Sequence, residues 1–191
     1  MNITITKVLI FLNIIISIKP PNIHNLIKDY EIYNPSELEI NKPYNLFIPY
    51  FYNRNVLGCL FNMIILNYIG TIMEKKYGKI VYCKILFLCF TLTSFYGYFL
   101  SLIFKNLFEY PIFYNSLYSG FTPIIISLRT TYFNILDRIL LVFGIKVHSK
   151  NIIWLELLLL NMINPNHDFY IHLAGILSGH TIFNILQNWK N

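Results

Sequence analysis

The sequence predicts an all-α, polytopic membrane protein built as a bundle of six transmembrane helices. Three observations carry that expectation. The 191 residues are 55% hydrophobic and 17% aromatic but only 13% charged, about half the charge of an average soluble domain. The apolar residues fall in long, nearly unbroken runs. The basic residues lie between those runs, so the net charge of +6 follows the positive-inside rule and is no sign of nucleic-acid binding.

Ile3–Ile18 is the first apolar segment. It is short for a span, and a signal peptide is the rival reading. Lys19-Pro20-Pro21 follows it where a small-residue cleavage site would stand, which favours a retained helix. Pro20–Asn55 is polar, with its charges balanced; within it the aromatic stretch Tyr44–Tyr52 is suited to the membrane interface. The division is therefore residues 1–43, first helix and polar loop, and residues 44–191, the core. Val56–Met73 and Val81–Phe104 are the second and third spans, separated by Glu74-Lys75-Lys76 and Gly78. Lys105–Leu117 is an aromatic loop. Ser119–Leu128, extended by Thr130–Phe133, makes a fourth span that begins below the membrane surface. Asn134–Asn151 reads as amphipathic. Ile152–Ile163 is the fifth span, Asn164-Pro165-Asn166-His167 a turn, and Asp168 the cap of a sixth span running to about Leu186.

The loops after spans two (Lys75, Lys76, Lys79) and four (Arg129, Arg138, Lys146, Lys150) carry uncompensated positive charge. Both termini are therefore expected in the cytoplasm, with Ser119 opening toward the lumenal or exterior side. Cys59, Cys83 and Cys89 lie in apolar segments with no C-x-x-C pair, as buried hydrophobes do. No metal-ligand spacing exists, and neither metal nor cofactor is expected.

The chemistry-bearing stretch is D-F-Y-I-H-L-A-G-I-L-S-G-H, Asp168–His180. His172, Gly175 and Gly179 share one helical face. Small residues on that face admit a neighbouring helix closely, and an ionisable ring there points to function. Ser119, in N-S-L-Y-S-G-F-T-P, is the matching nucleophile candidate, since a serine needs a base to take its proton. Backbone N–H groups at a helix start just after it are suited to an oxyanion. The plainer readings are that Ser119 is only a helix N-cap and His172 only a structural hydrogen-bonding group. His167, in a turn, and His180, facing another way, are weaker candidates. Glu156 reads as a structural hydrogen-bonding residue within the fifth span.

Four motifs together resemble the rhomboid intramembrane serine proteases over about Tyr44 to His180. They are H-L-A-G-I-L-S-G from His172, Y-S-G at Tyr118–Gly120, F-N-M at Phe61–Met63 with Gly70, Glu74 and Gly78 after it, and W-L-E-L at Trp154–Leu157. The last is similar to the six-span endoplasmic-reticulum branch of eukaryotic rhomboids. The resemblance implies a serine endopeptidase with Ser119 as nucleophile and His172 as base. Asn62 and the Ser119 backbone N–H would bind the oxyanion. Gly70, Glu74, Gly78, Gly120, Trp154, Glu156, Gly175 and Gly179 would be structural, Glu74 anchoring the second loop. Spans two and five would form the substrate gate. Implied partners are single-span or polytopic membrane-protein substrates in an endomembrane, endoplasmic reticulum or Golgi. Three positions depart from the family pattern: Leu117 replaces its first loop Gly, Gly58 its span-two His, and Pro123 removes a backbone donor four residues after the serine. A non-catalytic rhomboid-like protein that binds membrane clients for degradation is the alternative.

Overall fold

The computed structural model describes residues 4–18, 47–53, 56–109, 118–142, 144–163 and 169–189. Their elements are α1 (Ile5–Ile18), α2 (Ile48–Phe51), α3 (Val56–Leu107), α4 (Thr122–Leu136), β1 (Ile139–Val142), β2 (Ile145–His148), α5 (Ser149–Ile163) and α6 (Phe169–Asn188). Leu117, His167 and Asp168 lie outside the described residues.

α3 contains both the second and the third expected spans. The charged stretch between them stays helical, since Glu and Lys are good helix formers. The chain turns at Gly78 alone, whose φ of 78° and ψ of 164° are non-helical. An added Cβ at Gly78 would meet nothing within 4 Å. Its glycine is required by backbone conformation and not by space.

α3 and α6 are the described helices long and apolar enough to cross a membrane. α1 has 14 residues, and α4 and α5 have 15 each. At 1.5 Å per residue they reach about 21–23 Å, short of the roughly 30 Å hydrocarbon core.

The first helix is fastened at its start. Glu74 is buried and accepts three hydrogen bonds there, from Ile5 N (2.9 Å), Thr6 N (3.1 Å) and Thr6 Oγ (2.8 Å). A carboxylate on free N–H groups at a helix start also suits the helix dipole. A side chain at Gly70 would strike Tyr82 OH at 2.6 Å and Thr6 Cγ2 at 2.8 Å. Glu74 therefore anchors the start of α1, a partner the sequence reading did not name.

α6 packs tightly against α4. A Cβ at Gly175 would lie 2.6 Å from Pro123 O, and one at Gly179 would lie 2.5 Å from Ser127 O. Polar bonds run along the same seam: Ser127 Oγ to Ser178 Oγ at 2.9 Å, and Thr131 Oγ1 donating to Gly179 O at 3.2 Å. Small residues and interhelical hydroxyls are the means by which apolar helices associate.

Three expectations are corrected. Residues 134–151 are not a single amphipathic segment: β1 and β2 form an antiparallel hairpin, Ile139 opposite His148 and Val142 opposite Ile145. The fold is thus helical with one small sheet. Aliphatic, β-branched strands and Gly144 at φ 82° in the turn explain it. Ser149 pins the hairpin base by donating from N to Arg138 O (2.8 Å) and from Oγ to Phe133 O (2.9 Å). Next, Arg129 is not a loop charge. It lies within α4 and pairs with Glu156 on α5, while Lys150 pairs with Asp137 at 2.8 Å. Arg138 and Lys146 have no ion-pair partner among the described residues. Finally, the described part of the aromatic stretch before α3, residues 47–52, does not lie flat as a separate surface segment but is folded against the bundle. Tyr50 is fully buried, edge-on to Phe90 and tilted against Tyr118.

Candidate functional site

The site forms where the loop entering α4 meets α2, α3 and the first turns of α6. The loop is held from beneath. Gly120 N donates to Pro49 O at 3.0 Å, and Phe121 N donates to Asn53 Oδ1 at 3.2 Å. Tyr118 OH closes the turn on Gly120 O at 3.1 Å. Gly120 sits at φ 135°, and a Cβ there would press on Tyr118 OH at 3.2 Å. That conformation makes glycine the fitting residue.

Ser119 lies ahead of the helix and is not its N-cap. Phe121 holds that position, without a side-chain cap bond. Ser119 Oγ is buried, and among the described residues it has no hydrogen-bond partner. Buried hydroxyls are nearly always paired, so this one calls for an explanation.

His172 comes to the same place from α6. Its ring stands edge-on to Tyr118, the residue beside Ser119, with centroids 6.3 Å apart and an interplanar angle of 83°. One turn further along, Gly175 lies against Pro123, four residues beyond Ser119. These contacts flank the serine on both sides. No hydrogen bond joins Ser119 Oγ to His172 in this state; such bonds commonly tighten only with substrate.

Asn62 reaches the site from α3. It is buried, and Nδ2 donates to Thr122 Oγ1 at 3.1 Å. One amide hydrogen is thereby committed, leaving a second. The donors expected to be free after Ser119 are also largely engaged. Gly120 and Phe121 are bonded as described, and Pro123 has no N–H.

The remaining sequence candidates lie elsewhere. Trp154 stacks on His180 (centroids 6.4 Å apart, 25°), and His180 Nδ1 faces Asn134 Nδ2 at 3.3 Å. Glu156 holds Arg129, so its role here is an ion pair between α4 and α5.

Sequence reasoning missed Asn53 and Thr122. Asn53 also donates to Ser17 Oγ at 3.1 Å and Asn13 Oδ1 at 3.4 Å, tying α1 to the site loop. The signal was available. Asn13 and Ser17 are four apart in an apolar helix and so share a face, which marks a polar contact within the bundle.

Residues 3–188 match the family described as eukaryotic integral membrane protein (DUF1751). The chain belongs to this family. Its apolar helices are accordingly those of a membrane-embedded protein, and the site lies in an integral membrane fold. A curated relative, "Rhomboid-like protein 14, mitochondrial" of Arabidopsis thaliana, is 29% identical over 135 residues. That match covers 70% of this chain and 40% of the relative, so the chain corresponds to less than half of that protein's length. Over most of its length the chain is thus similar to a protein named rhomboid-like.

Proposed function

We propose that this integral membrane protein is a rhomboid-type serine endopeptidase that cleaves peptide bonds in or beside transmembrane segments of other proteins. The observation that carries this is the buried hydroxyl of Ser119, unpartnered among the described residues, with the His172 ring against the adjacent Tyr118. Thr93 Oγ1 is likewise buried and unpaired among the described residues, but only Ser119 has a neighbour that packs against an imidazole able to take its proton.

In this reading six spans cross the bilayer: α1, the two arms of α3, α4, α5 and α6, the shorter helices lying partly in a thinned or polar environment. His172 takes the proton from Ser119 Oγ as the oxygen attacks the scissile carbonyl. The Ser119 N–H and the second Asn62 amide hydrogen receive the oxyanion. His172 returns the proton to the leaving amine, and water then hydrolyses the acyl-enzyme by the same base. No metal or cofactor takes part. Substrates are single-span or polytopic membrane proteins. The compartment is an endomembrane, endoplasmic reticulum or Golgi; mitochondria, suggested by the relative's name, are the competing site, and organelle fractionation separates them.

A second reading has its own supporting observation. Gly120 N–H, Phe121 N–H and one Asn62 amide hydrogen already have partners, which leaves few donors for an oxyanion. A protein with that deficit would bind membrane clients without cleaving them. The deciding experiment is labelling of the purified protein with a fluorophosphonate probe, with Ser119→Ala as control. Labelling of wild type alone supports the protease. No labelling of correctly folded wild type favours the binding protein.

A further inference from the structure

A second site lies between α3 and the lower part of α4, closed by β1. It is a cavity of about 420 Å³, whose walls include Ile64, Ile65, Tyr68, Arg129, Arg138 and Leu140. The α3 wall is three isoleucines, Ile64, Ile65 and Ile69, with Tyr68, while the α4 side brings two guanidinium groups.

Those two charges exceed the acid available to them. Arg129 gives one N–H to Glu156, and its side chain is only 17% exposed. A guanidinium has five donors, so most remain for another acceptor. Arg138, just past the last turn of α4, has no carboxylate partner among the described residues. The adjacent Asp137 is taken by Lys150 at 2.8 Å and His148 at 3.2 Å. The cavity is thus an apolar slot with net positive charge, in a protein whose solvent is lipid.

We propose that this cavity binds one anionic phospholipid, with its phosphate between Arg138 and Arg129 and the upper acyl chain along Ile64 and Ile65. Guanidinium groups pair with phosphate through two parallel N–H bonds, which fits this end of the slot. A soluble phosphate would leave the aliphatic wall wet, and a zwitterionic lipid such as phosphatidylcholine would bring its own cation toward the two guanidinium groups. The charge asymmetry assigns this end of α4 to the cytoplasm, the side where anionic lipids concentrate.

The test is native mass spectrometry of the full-length protein released from mixed micelles of phosphatidylglycerol and phosphatidylcholine. One retained phosphatidylglycerol is expected, preferred about fivefold over phosphatidylcholine, as suits one basic side chain near a membrane surface. Arg138→Gln should abolish the preference while phospholipid is still retained. Ile64→Trp, at an exposed position, should reduce retention of both lipids. Lys146→Gln, outside the cavity, should change neither. Excess glycerol phosphate should fail to displace the lipid. Equal retention of the two lipids in wild type would overturn the proposal. So would an equal loss in Lys146→Gln, which would mark diffuse surface attraction, or displacement by glycerol phosphate, which would mark a free-phosphate site. Thermal unfolding of each variant confirms that the comparison is between folded proteins.

Discussion

Two buried polar spots of this molecule behave in opposite ways. At one, Glu74 accepts three hydrogen bonds and fastens the start of α1. At the other, Ser119 Oγ accepts and donates none among the described residues, although Gly120 N, Gly120 O and Phe121 N just after it are all bonded. The first is a complete structural joint. The second has been built with care and left open at one atom. A satisfied buried polar group explains itself through stability, while an unsatisfied one in a well-braced loop points to a partner that arrives from outside.

The comparison breaks first at the serine. Ser119→Ala or His172→Ala should cut cleavage of a co-expressed single-span substrate by roughly 10⁴-fold or more, with unchanged unfolding temperature. The double variant should lose little beyond either single one, because the two groups act as a unit. Substantial cleavage by the double variant would end the protease reading. Glu74→Ala should do the reverse, costing about 3 kcal/mol of stability by leaving buried donors unpaired. Probe labelling per folded molecule should hold. If Glu74→Ala abolishes labelling in folded protein, the two spots are not separate.

Gly175→Leu probes the seam that both regions share. Its side chain would meet Pro123 O, backbone that cannot rotate away, so a loss of about 2 kcal/mol is expected in thermal unfolding. An unchanged melting temperature would mean that this face does not carry the packing. Asn62→Ala sharpens the open site itself. One of its amide hydrogens is committed to Thr122, so cleavage should fall only about tenfold, less than for a fully dedicated oxyanion donor. Smallest of all is the hairpin base. The hydrogen bond from Lys150 holds the exposed Asp137 carboxyl below its ordinary value of 3.8, with His148 adding to the pull. A depressed acid stabilises above its unfolded pKa, and its contribution fades as pH falls through the folded value. Amide protection in Ile139–His148 should weaken only under such acid conditions, and Asp137→Asn should remove that dependence.

Much of this arrangement was legible in the chain. The face shared by His172, Gly175 and Gly179 follows from helical spacing, and those glycines meet Pro123 and Ser127 on the helix that Ser119 precedes. Gly78 and Glu74 stood out as breaks in an apolar run. What stayed hidden were relations between distant residues. Nothing in the spacing told that Glu74 would cap α1, that Arg129 would find Glu156, or that Asn53 would occupy the N–H of Phe121. The hairpin escaped because a short aliphatic run does not distinguish strand from helix. The engaged N–H groups after Ser119 escaped for a related reason: a helix start shows its free donors in sequence, but not the acceptors that another segment brings.

The Glu74 joint also sets a timetable. It connects positions 68 and 69 residues apart, so α1 leaves the ribosome before the carboxylate that accepts from its opening N–H groups is made. At ordinary translation speeds that interval is roughly 3–14 s. During it the opening turn of α1 lacks that carboxylate, and its fastening is a long-range event in biogenesis. α1 is thereby made well before the joint that fixes its opening turn can form.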